Sequence, residues 1–193
     1  MSTFERLSRL STDADATTDS AGDFPWAAAI VYGAGAFVIG YLVVLAVFVL
    51  GPATTSGTTG NRLTLIGFVF YNAHHVAVVG GGESVNLLAQ ATDPNVPVAV
   101  YYAIPVVLLV AVGAVFGRRH RRSIPEPSAI LNAGATMAVG YAIVAVLGTF
   151  FIGLDLQAGT VLSPELGKAA LFGVAYPVVF CTVGAAVTFV AGR

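Results

Sequence analysis

The sequence predicts an all-α integral membrane protein with four transmembrane helices in two tandem hairpins, plus a short re-entrant or interfacial helix. Three observations predict it. Hydrophobic residues fill 56% of the 193 positions and charged residues only 10%, against about 25% charged in soluble domains. Four long apolar runs, 26–50, 97–116, 129–151 and 169–191, contain no Asp, Glu, Lys or Arg; each reaches the ~20 residues that helix needs to cross ~30 Å of hydrocarbon. A shorter run, 63–80, carries the polar stretch Tyr71-Asn72-Ala73-His74-His75, and how it sits decides between four spans and the alternative of five.

Residues 1–25 precede the first run. Glu5, Asp13, Asp15, Asp19 and Asp23 outnumber Arg6 and Arg9, and Ser and Thr dominate the rest. Such a composition buries too little to fold, so a disordered acidic cytoplasmic tail is expected, followed by a membrane domain over 26–193. Run one opens with Phe24-Pro25-Trp26, aromatic residues suited to the interface, and stops at Gly51-Pro52. Run three opens at Pro97 and ends in Arg118, Arg119, His120, Arg121 and Arg122. Run four follows Pro125 and Pro127. Run five follows Ser163-Pro164-Glu165, which predicts Ser163 as N-cap and Pro164 at the first helical position.

The four loop arginines set orientation, because short Arg-rich loops stay cytoplasmic; binding of anionic lipid or a partner by this basic loop is the functional alternative and is compatible with it. With five spans, Arg62, the four loop arginines and Arg193 lie inside and Arg6, Arg9 and Lys168 outside, six against three. With four spans, Arg6, Arg9, the loop arginines and Arg193 lie inside and Arg62 and Lys168 outside, seven against two. An internal repeat favours four. Gly40-Tyr41 in run one recurs as Gly140-Tyr141 in run four, and Pro105-Val106-Val107 in run three recurs as Pro177-Val178-Val179 in run five. Parallel repeats require runs one and four to point the same way, which only four spans allow. Run 63–80 is then an insertion in the first hairpin.

Gly33, Ala36 and Gly40, with Gly134 and Gly140, are the candidate helix-packing positions, since small residues let helices approach closely in lipid. Pro105 and Pro177 are candidate helix kinks.

The candidate polar site is Tyr71, Asn72, His74 and His75. If 63–80 is one helix, Tyr71 and His75 share a face while His74 points about 100° away. Phe68, Phe70 and Tyr71 then lie at headgroup level, Asn72 and the histidines reach water, and Gly80-Gly81-Gly82 turns the chain back. Adjacent helical histidines do not chelate one metal, and no long run holds another histidine, so neither a cofactor nor a metal is expected. Acids fall only in the tail and loops, which leaves no ionisable relay inside the spans. A net charge of −1 gives no general attraction to nucleic acid. The expected partner is the lipid bilayer, with a second copy or another membrane protein left open.

Phe70-Tyr71-Asn72-Ala73-His74, with Gly40-Tyr41 and Tyr176-Pro177-Val178-Val179, resembles a family of uncharacterised multi-pass membrane proteins from salt-loving archaea. The resemblance covers about Trp26 to the C-terminus and implies a cell-membrane location. It brings no activity. The aromatic residue that usually follows the histidine in that family is replaced by His75 here. The expected function is a non-enzymatic membrane component; a small channel or transporter and a membrane enzyme using His74 are the alternatives.

Overall fold

The computed structural model describes residues 24–50, 59–90, 96–124, 126–156 and 159–191. The acidic tail lies almost wholly outside these. The chain order is α1 (Trp26–Leu50), α2 (Thr59–Ala73), β1 (Val78–Gly80), β2 (Glu83–Val85), α3 (Leu87–Gln90), α4 (Val98–Arg119), a 3₁₀ turn (Arg121–Ser123), α5 (Pro127–Phe151), β3 (Leu154–Asp155), β4 (Val161–Pro164) and α6 (Leu166–Ala191). Four of the helices, α1, α4, α5 and α6, are long and apolar enough to cross a membrane. Their outward faces carry exposed Val31, Leu42, Val107, Ile143, Leu171 and Val187.

The long helices alternate in direction. The Tyr32 ring packs 5.4 Å from Phe116, and Arg119 donates to the Tyr32 hydroxyl at 3.1 Å, so α1 starts where α4 ends. Gly117 lies against Ala185 and Thr188, which brings the end of α6 to the same place. α1 and α5 therefore run in one direction and α4 and α6 in the other, as tandem hairpins require. Corresponding helices of the two hairpins pack side by side. A Cβ at Gly33 would strike the Met137 carbonyl, and one at Gly140 the Ile30 carbonyl. The α4–α6 pair repeats this, with Gly113 on the Cys181 carbonyl and Gly184 on the Val110 carbonyl. Only residues without side chains permit such backbone contact. Gly134 faces Thr182, while Gly40 takes the Phe70 ring and Leu108. The small residues singled out in the sequence are thus spent inside the chain. Pro105 and Pro177 are fully buried within continuous helices.

Several expectations are corrected. Run 63–80 is not one helix: α2 covers Thr59–Ala73 and the chain continues into β1. The fold is not purely helical, because four short strands form a sheet in the order β2-β1-β4-β3. Gly81 and Gly82, with φ of 61° and 85°, make the two-residue turn between β1 and β2, whose positive φ values glycine adopts without strain. Ser163 and Pro164 are not a helix start. They pair with Val79 and Val78, and the Glu165 N–H continues to the Ala77 carbonyl at 2.9 Å. The proline ends the strand because it has no N–H to give to the ladder. This pairing ties the insertion of the first hairpin to the connection of the second.

Candidate functional site

α2 enters the bundle and does not traverse it. Tyr41 donates to the Leu63 carbonyl at 3.2 Å near the start of α2. Its end is set by the backbone. The Val76 N–H bonds the Tyr71 carbonyl at 3.0 Å and the His75 N–H bonds the Asn72 carbonyl at 2.9 Å. These are the two crossed bonds of a Schellman stop, in which the residue after the cap takes the left-handed conformation. That residue is His75, with φ of 61°. Helical spacing therefore fails beyond Ala73, and the expectation that Tyr71 and His75 share a face is wrong.

The outcome for burial is the reverse of the headgroup picture. Phe68, Phe70, Tyr71, Asn72 and His74 are all buried. Tyr71 donates to the Ala145 carbonyl of α5 at 2.5 Å. Asn72 uses both ends of its amide: Nδ2 donates to the Val76 carbonyl at 2.7 Å, and Oδ1 accepts from the Leu87 N–H at 2.6 Å. The first bond locks the turn after α2, and the second fastens the start of α3 to it. His74 Nδ1 lies 2.8 Å from the Phe70 carbonyl and Nε2 lies 2.5 Å from the Tyr141 hydroxyl. A carbonyl only accepts, so its partner assigns the proton to Nδ1, and Nε2 accepts from Tyr141. Burial pushes the His74 pKa below its ordinary value; the Phe70 bond opposes this and the neighbouring His75 adds to it. The imidazole is held neutral.

Tyr176 packs 5.3 Å from the His74 ring and Phe70 4.7 Å. His75 points the other way and is exposed. It stacks on Tyr102 of α4 at 5.0 Å, nearly parallel, with Phe172 of α6 6.2 Å away. The structure therefore joins Tyr71, Asn72 and His74 in one buried cluster and separates His75 from it.

Tyr141 is the member that the sequence did not nominate as a site residue. Its signal was present in the repeat. Tyr41 and Tyr141 occupy matching positions, and each bonds α2 or its stop, one near the start and one at the end.

Among the described residues the cluster holds no acid. Glu165 pairs with Lys168 at 2.7 Å, and Glu83 and Asp155 are exposed on strands. Among the described residues no three His, Cys, Asp or Glu side chains gather as metal ligands. His120 sits at the opposite end of the bundle against Phe116.

The family profile for a family of unknown function, DUF7978, matches residues 9–192. The chain belongs to that family. No curated protein and no solved structure matches it. Family membership thus covers the tandem hairpins and the α2 insertion together, and it supplies no activity for the buried cluster.

Proposed function

We propose that the protein is a multi-pass component of the cell membrane whose role is structural and not enzymatic. Its four long helices span the bilayer and cradle α2 as a re-entrant helix. One observation carries this reading: the polar side chains that α2 sends into the bundle are consumed by bonds to the protein itself. Tyr71, Asn72 and both nitrogens of His74 have internal partners, so none is left free for a solute or a reaction. Buried polar groups of this kind fix one arrangement of packed elements. The arginine end then faces the cytoplasm with both termini, and the sheet faces outside. Because the glycine faces are occupied within the chain, a second copy or other partner meets the outward valine and leucine faces.

Single cysteines at positions 2 and 56 test the topology in intact cells with a membrane-impermeant maleimide. Cys181 is buried, which keeps background low. Labelling at 56 and protection at 2 are expected; labelling at 2 sinks the four-span arrangement. The structural role is tested with His74→Phe: accumulation of folded protein should fall in step with any phenotype. A variant that accumulates normally and still loses function points to chemistry at His74.

A further inference from the structure

The arginine end holds an unassigned amphiphilic site. A cavity of about 500 Å³ lies between the last turns of α4 and α6, lined by Arg118, Arg121, Ala114 and Thr188 together with Val187 and Ala191. Val187 and Ala191 also line a second, apolar groove of about 530 Å³ that continues along the outer face of α6 past Val183 and Val190. Arg118 and Arg121 are exposed, and among the described residues no carboxylate pairs with either; the ion pair among these is Lys168–Glu165 at the other end. The cleft lies at the C-terminal ends of α4 and α6, whose partial negative charge favours Arg118 and Arg121 and offsets part of their charge without supplying a carboxylate partner.

We propose that this cleft binds one anionic phospholipid of the surrounding leaflet. Its phosphate would sit between Arg118 and Arg121 and one acyl chain would lie along Val183, Val187 and Val190. The continuity of cationic cavity and apolar groove selects an amphiphile over free phosphate. It also disfavours the acidic N-terminal tail, which has the charge but few large apolar residues to fill the groove. The site rests on the membrane reading above and extends it.

The test uses the full chain in nanodiscs of equal phosphatidylglycerol and phosphatidylcholine, with the retained lipid identified by native mass spectrometry. Preferential retention of phosphatidylglycerol is expected. Arg118→Gln and Arg121→Gln should each lower the preference about fivefold and together roughly 30-fold. Arg122→Gln, which shares a neighbouring cavity with Arg118 and Arg121 but does not line this cleft, should lower it by less than either; an equal fall would make the attraction a general one of the basic loop and overturn the site. Equal retention of the two lipids, or an unchanged preference in the double variant, overturns the proposal. So does displacement by inorganic phosphate as effective as by intact phosphatidylglycerol, because the groove would then play no part. A preference seen only after deletion of residues 1–22 makes the tail the occupant and also overturns it. The glutamine variants alter exposed side chains, and an unchanged melting temperature verifies that they fold. A chain that does not enter the nanodisc refutes the membrane reading instead, so the two failures are distinguishable.

Discussion

The two hairpins share a pattern and close differently. In the second, α5 and α6 touch directly: Gly134 lies against Thr182 and the Val178 carbonyl, and Gly173 lies against Ala142 and Ala145. In the first, α2 intervenes, and its Phe70 ring occupies the space at Gly40 beside Leu108. The second hairpin is held by close backbone approach and needs no polar side chain. The first gives up that contact where the wedge enters, and the wedge is held by polar bonds: Tyr41 ties it to α1, Tyr71 and the His74–Tyr141 pair tie it to α5 of the second hairpin, and Asn72 locks its own turn. Close packing tolerates no added atoms, whereas a polar staple tolerates no missing partner, so the two regions should break under opposite kinds of substitution.

The largest effect is expected from filling the glycine contacts. Gly134→Leu or Gly140→Leu must push two backbones apart and should cost about 3 kcal/mol or more, read as loss of folded protein in detergent melts. Gly35→Ala is the matched control. A Cβ there meets nothing within 4 Å, so no loss is expected. If all three behave alike, close glycine contact is not what holds α5 against α1 and α6.

Removing a staple should come next. Asn72→Ala strands the Val76 carbonyl and the Leu87 N–H, at roughly 2–4 kcal/mol for two buried groups. Hydrogen exchange should rise at residues 76–90 before it rises in α5 or α6; uniform exchange would show that the insertion is not a separately held unit.

Tyr141→Phe leaves His74 Nε2 without its donor and should cost about 1–2 kcal/mol. The same pair gives an acid dependence. Folding lowers the His74 pKa below its ordinary value of 6.5, so below pH 6.5 the unfolded chain binds more protons than the folded one. The His74 contribution is then complete above 6.5 and is lost as pH falls toward the lowered pKa. Melting temperature against pH should slope in that window for the wild type and flatten there for His74→Phe.

The smallest effect has the opposite sign. His75→Gly places the residue that favours positive φ at the α2 stop and should stabilise by about 0.5–1 kcal/mol, less the lost stack on Tyr102. A destabilised variant would mean that the exposed stack outweighs the backbone strain.

The four long helices were legible because length and apolarity suffice for them. The tandem order was legible in Gly40-Tyr41 against Gly140-Tyr141. The polar cluster was legible as residues but not as geometry. Treating 63–80 as one helix put Tyr71 with His75, and one residue at φ of 61° reversed that assignment. The strands escaped notice because they are two to four residues long and take their pairing from segments far apart in the chain.

The sequence alone determined that four segments need an apolar surrounding, since transfer energy depends only on what each segment is made of. It also determined which helices correspond, through the repeated Gly-Tyr and Pro-Val-Val. Only the tertiary structure decided that Tyr71, Asn72 and His74 face inward and His75 outward. It alone paired His74 with Tyr141, 67 positions apart, and matched Gly113 with Gly184 across α4 and α6. Those outcomes depend on where one helix stops and which backbone lies opposite, and no local pattern of residue types encodes either.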